Sequence, residues 1–413
     1  DILNEYGNDT INNASNADFL TIYHERNSDI YGYQDGSNYK IVRQYTVDGE
    51  HQTATTTLTN FKLSEHPDLV LMNYKDNSSS LTVFDLGDGF NPETSTLKRV
   101  PTDTSTLTDT SNDDLYVLGN TGADTISTGT GNDVISAGNG DNSITSSGGN
   151  NRITAGTGDD TITVNGTGNN YIYVTGSRSS AGNEITVNST GENTIKGGSG
   201  VDQIEVNGGT NYIYANGGRD TITLNGGTNY VELDGNNYNA QVTVKAGNAT
   251  IQGGSENGFY GTTYIDGGSN TVNMTGNDNR EEVYIKSGTN NTLDLGAGDD
   301  FVTIDTNPSS SVIYTGTGVD TVSINESAGT STTVTIYGGA DSVTGEDTNH
   351  NYYNMATGSA EIHTGSMGDR ISVYGENATA VIYGNDNFEE KTIQQYEVPF
   401  LIWANYDIEE QYG

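Results

Sequence analysis

Large apolar residues recur every nine positions through the middle of the chain, at Ile126, Ile135, Ile144, Ile153 and Ile162. The step widens through Ile172, Ile185 and Ile195, then returns to nine through Ile204, Ile213, Ile222 and Val231. Each sits between polar or amphipathic neighbours, as in Thr161-Ile162-Thr163 and Tyr212-Ile213-Tyr214. That alternation is the mark of a strand with one buried face. Between the strands lie clusters such as Gly197-Gly198-Ser199-Gly200-Val201-Asp202, where glycine permits positive φ and close backbone approach. The unit is a turn and a short strand, repeated. Two nine-residue units close one coil, so residues 18 apart stack at the sheet spacing of roughly 4.8 Å.

The pattern predicts an all-β chain whose residues 113–385 form a right-handed parallel β-roll or β-helix solenoid, with about 18 residues per coil. Residues 1–112 are less regular, with Ile41-Val42 and Leu69-Val70-Leu71-Met72 as candidate buried strands and Pro67, Pro92 and Pro101 as breaks. They predict a β-rich N-terminal cap or first irregular coils, with a stray repeat-like turn at Gly7-Asn8-Asp9 and a linker or irregular coil from Thr102 to Ser111. An open coil end exposes core and unpaired edges and so requires a cap. Residues 386–413 are expected to close the other end, with Phe400, Leu401, Ile402 and Trp403 over the last coil.

Composition narrows the picture. Only 31% of the 413 residues are apolar, which allows a thin core and no thick globular one. The five prolines all lie outside residues 102–307, consistent with uninterrupted strand pairing there. Sixteen basic against 55 acidic residues leave a formal charge of -39, which excludes nucleic acid and anionic membrane as ordinary partners and calls for cations. Cysteine is absent, so a staple, if there is one, is a metal rather than a disulfide. No apolar run is long enough to span a membrane, and the first residue is Asp1 rather than Met; a processed chain without membrane insertion is expected.

Several turns in register, Gly197–Glu205, Thr128–Ser136, Ala155–Thr163, Thr315–Ser323 and Gly365–Ser372, resemble the repeats-in-toxin (RTX) β-roll nonapeptide, G-G-x-G-x-D followed by x, a large apolar residue and x. The resemblance implies that turn carbonyls and the aspartate at the sixth position hold several Ca²⁺ ions between turns stacked on one edge. Carried onto this chain, the candidate metal ligands and turn residues are Asp124, Asp133, Asp160, Gly198, Gly200, Asp202, Gly218, Asp220, Asp300, Asp320, Asp341 and Asp369. Calcium favours oxygen donors in flexible turns, and it removes the repulsion of carboxylates stacked about 5 Å apart.

The chain departs from the RTX pattern in one respect. Asp124, Asp160, Asp202, Asp220, Asp300, Asp320, Asp341 and Asp369 fall on one turn parity, with Asn142 among them. The other parity reads Asp133, Asn151, Asn170, Asn193, Asn211, Asn229 and Asn291. One edge is therefore expected to bind calcium and the other to carry asparagines, which either hydrogen-bond along the stack or merely tolerate the left-handed turn conformation. Residues 234–290 lack clean Asp turns and are expected to be metal-poor, with Glu281 and Glu282 as spare ligands.

Outward-facing residues differ between the two sheets. Tyr171, Tyr173, Tyr212, Tyr214 and Tyr230 form one column, and Thr125, Thr161, Thr163, Thr221 and Thr223 form rows on the other sheet. A tyrosine column suits protein or glycan contact or simple cross-strand packing. The threonine rows resemble calcium-dependent ice-binding adhesin regions, although Glu184, Gln203 and Glu205 interrupt them. The five histidines are scattered and neither H-E-x-x-H nor G-x-S-x-G occurs, so no catalysis is expected, a carbohydrate-active β-helix being a lesser alternative. Val381–Gln411 resembles a fragment of lipoteichoic-acid synthase and related sulfatase-fold proteins, without their metal centre or nucleophile.

The sequence thus points to a secreted, calcium-folded structural or adhesive protein at the cell surface: a matrix, surface-layer or filament subunit, or an adhesin module. Its expected partners are further copies of itself, other surface proteins or glycans. The alternative is the non-catalytic β-roll of a secreted enzyme or toxin.

Overall fold

A computed structural model describes residues 8–12, 19–22, 30–47, 50–62, 70–73, 84–88, 90–91, 94–102, 105–176, 182–233, 238–253, 260–275, 279–305, 310–339, 351–365, 369–383, 391–394 and 400–404. Among these residues every regular element is a β-strand, apart from one 3₁₀ turn at Glu326–Ala328. No helix there is long and apolar enough to cross a membrane. The chain divides into two compact units, Asp1–Glu184 and Ile185–Gly413.

The first unit opens with a five-stranded sheet. Ile30–Asp35, Asn38–Val47 and Glu50–Thr59 form an antiparallel meander, while Asp9–Asn12 and Phe84–Asp88 add parallel strands at its two sides. Gly36 takes φ 61° in the tight first hairpin, a conformation glycine adopts without strain. Ile41 and Val42 are buried as expected, and Val70–Asn73 pairs with Phe19–Ile22. Tyr31, Tyr33, Val42, Leu86 and Phe90 form a core with Leu118 of an early coil, and Phe90 meets Tyr116 edge-on at 4.9 Å. The sheet thus seals apolar surface that an open coil would leave wet.

Parallel coiling begins earlier than the glycine repeats indicate. Thr96–Arg99 pairs with Leu115–Leu118, and Thr106–Asp109 pairs with Thr125–Thr128. Residue 112 therefore falls inside paired structure, and the Thr102–Ser111 segment contains a strand of a coil whose turns lack the G-x-G signal. Beyond it the nine-residue pattern becomes two sheets of alternate strands. Ile126, Ile144 and Ile162 stack in one, and Ile135, Ile153 and Ile172 in the other. All six are at most 1% exposed.

The second unit repeats this arrangement, with Ile204, Ile222 and Val242 in one column and Ile195, Ile213 and Val231 in the other. Coils are 18 residues long where the repeat is tight, but the step reaches 20 from Asp300 to Asp320 and 31 from Asp320 to Asn351. The strands on either side of these longer steps stay in register, since loop length is inexpensive. Near the end of the unit Tyr314, Tyr337, His363 and Tyr383 stack face to face, with centroids 4.9, 4.6 and 4.6 Å apart. The long strand Asp369–Tyr383 pairs antiparallel with Lys391–Gln394 and Phe400–Ala404. Both pairings reverse the chain direction of the coils.

Ile222 tests how local the core is. Ile222→Ala is expected to cost about 2–5 kcal/mol. Hydrogen exchange should quicken mainly in Gln203–Val206 and Tyr238–Val244, which flank it, since each coil of a solenoid depends on its immediate neighbours.

Candidate metal centre

In each unit the turn leading into one sheet ends in a buried acidic or amide residue. In the first unit these are Asp124, Asn142, Asp160 and Asn183. In the second they include Asp202, Asp220, Glu281, Asp300, Asp320, Asn351 and Asp369. The turns leading into the other sheet end in Asp133, Asn151 and Asn170 in the first unit, and in Asn193, Asn211, Asn229, Asn270 and Asn291 in the second. We call these the acidic and amide edges of each unit.

The backbone differs between the edges. On the acidic edge, positive φ recurs four and two residues before the buried ligand position: Gly198 (87°) and Gly200 (138°) before Asp202, Asn216 (63°) and Gly218 (135°) before Asp220, and Gly296 (86°) and Gly298 (135°) before Asp300. Gly218 lies so close to the Gly200 carbonyl that a Cβ would come within 1.4 Å of that oxygen. Successive turns also bond directly, Gly200 N–H donating to Gly217 O at 2.9 Å and Gly217 N–H to Gly198 O at 3.3 Å. On the amide edge, Gly209, Gly227 and Gly268 bring positive φ two residues before Asn211, Asn229 and Asn270.

A shared hydrogen bond fixes each buried side chain. The backbone N–H of one ligand residue donates to Oδ1 of its counterpart one coil on: Asp124 to Asn142 (3.0 Å), Asn142 to Asp160 (3.0 Å), Asp160 to Asn183 (3.0 Å), Asp202 to Asp220 (2.9 Å) and Asp300 to Asp320 (3.0 Å). The same bond links Asp133 to Asn151 (2.9 Å) on the amide edge. What the second side-chain atom does depends on its identity. Asn211 Nδ2 donates to Gly208 O and to Asn229 Oδ1, both at 2.8 Å, and Asn142 Nδ2 donates to Gly140 O at 2.8 Å and Asp160 Oδ1 at 2.9 Å. The amide nitrogen bridges two coils through oxygen atoms. In an aspartate turn an oxygen replaces that nitrogen, and Asp160 Oδ2, Asp300 Oδ2 and Asp133 Oδ2 are buried without a hydrogen-bond partner.

These orphaned oxygens are the fit test for a cation. A buried carboxylate oxygen without a donor is costly, and burial accordingly raises the carboxyls of Asp124 and Asp133 above the usual range and pushes Asp160 up to about 6. Among the described residues no three acidic or histidine side chains converge. The donors on offer are therefore one carboxylate per turn together with backbone oxygens, a set that suits Ca²⁺, which takes about six to eight oxygen ligands with loose geometry.

The profile of the RTX calcium-binding nonapeptide repeat matches four times, over residues 118–153, 145–176, 188–222 and 205–239. These coils are RTX repeats. RTX nonapeptide repeats bind Ca²⁺, several ions over multiple repeats. RTX repeat proteins are typically secreted and take up calcium in the extracellular space, and their β-rolls are generally non-catalytic structural modules. No curated protein and no solved structure matches the chain.

Of the sequence candidates, Asp124, Asp160, Asp202, Asp220, Asp300, Asp320 and Asp369 stand on the acidic edges with Gly198, Gly200 and Gly218 in their turns, whereas Asp133 stands on the amide edge. Asp341 lies outside the described residues. Its expected place, one coil beyond Asp320, belongs to Asn351, whose Oδ1 accepts the Asp320 N–H at 2.8 Å. The 31-residue step shifts the count. Asn183 and Asn351 escape the periodic count because they stand 23 and 31 residues beyond Asp160 and Asp320 instead of 18. Ala240 and Gly261 occupy the acidic-edge register between Asp220 and Glu281, so that stretch offers no carboxylate at the ligand position. Glu282 faces outward and pairs with Arg280 at 2.6 Å.

The two edges are expected to respond differently to truncation. Asp220→Ala should lower the number of bound calcium ions and the melting temperature in calcium, while Asn229→Ala should leave the ion count unchanged; isothermal titration calorimetry and thermal melts distinguish the two. Asp160 sets a pH dependence. Its folded pKa lies above the unfolded value of about 3.9, so its contribution to metal-free stability is full below that value and is lost as pH rises through about 6. Melting in chelator should therefore fall between pH 5 and 7 by less in Asp160→Asn than in the parent chain, and calcium uptake near pH 5 should release protons.

Proposed function

We propose that this protein is a secreted, calcium-folded structural or adhesive element of the cell exterior: a matrix, surface-layer or filament subunit, or a module of an adhesin. The observation that carries the proposal is the row of buried acidic-edge carboxylates with orphaned oxygens, typified by Asp160 and Asp300. At a formal charge of -39 the chain repels itself where calcium is scarce and condenses where the ion is abundant. Such coupling delivers an extended chain through a secretion channel and folds it outside. The regular, repeated surface of each unit favours a scaffold over a catalyst. Exposed tyrosines at Tyr171, Tyr173 and Tyr212 offer amphipathic contact area for another copy, a surface protein or a glycan.

A second reading is the β-roll region of a larger secreted enzyme or toxin, and the RTX repeats themselves favour it equally. Concentration- and calcium-dependent polymers in electron micrographs support the scaffold; a hydrolase or toxin domain in the full-length gene supports the alternative. Under either reading chelation is expected to weaken the coils: the far-UV circular dichroism β signal and the melting temperature should fall in EDTA and recover at roughly millimolar Ca²⁺. Identical spectra and melts in EDTA and calcium would refute calcium-driven folding.

A further inference from the structure

The ring stack of the second unit starts at Tyr314 and runs through Tyr337 and His363 to Tyr383, each in register with the next along one sheet. Successive ring planes lie within 14° of parallel. Tyr337 and His363 therefore have both faces covered. Tyr314 has one face against Tyr337 and turns the other toward the preceding coil, where its register partner is Asp294. An aspartate side chain is much shorter than a tyrosine and leaves the outer part of that face bare; Tyr314 is 42% exposed.

The bare face carries the negative side of the ring quadrupole, and the carboxylate beside it adds charge of the same sign. Asp294 is half-buried, and burial raises its carboxyl above the usual range, partly offset by a hydrogen bond from the Gly296 N–H. Among the described residues no lysine or arginine pairs with Asp294 or lies over Tyr314. Elsewhere in the unit the same pairing has its cation in place. Glu282 stands in register one coil before Phe301, and the Arg280 guanidinium pairs with Glu282 at 2.6 Å while lying 3.9 Å from the centroid of the Phe301 ring. Tyr214 is likewise approached by Lys196 of the coil before it, 5.6 Å from the ring centroid. At Tyr314 the chain supplies only the carboxylate and the ring.

We propose that Asp294 and Tyr314 form a docking subsite for an arginine side chain of a partner protein. The guanidinium lies flat on the open face of Tyr314, extends the stack by one rung and donates its N–H groups to the Asp294 carboxylate. Arginine fits better than lysine because its planar cation stacks on a ring while it pairs, as Arg280 does. The formal charge of -39 draws a basic partner in from a distance. The subsite needs only folded coils, so it goes beyond the proposed function and holds for a scaffold and for the β-roll of an enzyme alike.

The test uses the full chain in saturating calcium at fixed ionic strength, labelled with 3-fluorotyrosine and read by ¹⁹F NMR, the Tyr314 resonance being the one that Tyr314→Phe removes. The probes are acetylated, amidated tripeptides with glycine on either side of arginine, lysine or citrulline, the last keeping the shape of arginine without its charge. The arginine peptide should shift the Tyr314 resonance saturably and bind roughly three- to fivefold more tightly than the lysine peptide, and the citrulline peptide should leave the resonance in place. Asp294→Asn should weaken arginine binding by a similar factor, while Glu184→Gln, which removes an exposed charge from the first unit, should not. On the parent chain alone, a Tyr314 resonance that arginine does not move, or that citrulline or lysine moves as readily, would overturn the subsite whether or not the variants fold. Equal affinities in Asp294→Asn and Glu184→Gln would assign binding to diffuse charge and overturn it too. A Tyr314 resonance that moves with protein concentration and ignores the peptides would make a second copy of this chain the occupant, which also rejects the proposal.

Discussion

Everything in the coils depends on one constraint: a parallel stack brings chemically similar side chains to the same place at every step of roughly 4.8 Å. For isoleucine this is favourable, because Ile126, Ile144 and Ile162 bury apolar surface against one another. For a polar side chain in a dry corner it is a problem, since whatever one coil presents, the next presents too. Aspartate presents two acceptors and a charge, and repetition multiplies the repulsion. The turns of this protein can be understood as ways of placing something positive, or at least a donor, between successive oxygen atoms.

Asparagine solves the problem within the side chain. Its Nδ2 reaches a turn carbonyl and the next side-chain oxygen at Asn142 and Asn211, whereas Asn291 Nδ2 and Asn351 Nδ2 are buried without such a partner. Aspartate leaves that position open and makes the corner conditional on an ion. The chain uses the two solutions on different edges, with deliberate-looking exceptions: Asn142 and Asn183 alternate with Asp124 and Asp160 on the acidic edge of the first unit, and Asp133 stands among asparagines. A coil thus has one corner whose hydrogen bonds need no ion and another that responds to calcium. The aromatic stack from Tyr314 to Tyr383 applies the same repetition to rings, whose faces cover one another and leave their edges to solvent.

The strands and their stacking were legible because a nine-residue period leaves almost no freedom in register, and the division into acidic and amide edges was legible because residues such as Asp202 and Asn211 sit at identical places in alternate turns. What remained hidden was whatever breaks the period. The step from Asp320 to Asn351 is long enough to shift the parity count, which placed Asp341 where Asn351 stands. Glu281 occupies the ligand position without the flanking glycine that signals it. The coil containing Thr96–Arg99 and Thr106–Asp109 has no glycine punctuation at all, and the pairing of Asp9–Asn12 with Glu50–Thr59 is set by distant contacts that no local pattern encodes.

The ladder that fixes the buried side chains also has a direction. In each bond the donor is the backbone N–H of the earlier coil and the acceptor is the side chain of the later one, from Asp124 to Asn142 as from Asp300 to Asp320. One residue earlier in the turn, at exposed positions, the bond runs the other way: the later coil's N–H donates to the earlier coil's side chain, as from Asn132 to Asp114 and from Asn150 to Asn132. Each coil is thus sewn to the next by two rows of backbone donors pointing in opposite directions, one buried and one exposed, so that neither face of a coil is wholly donor or wholly acceptor.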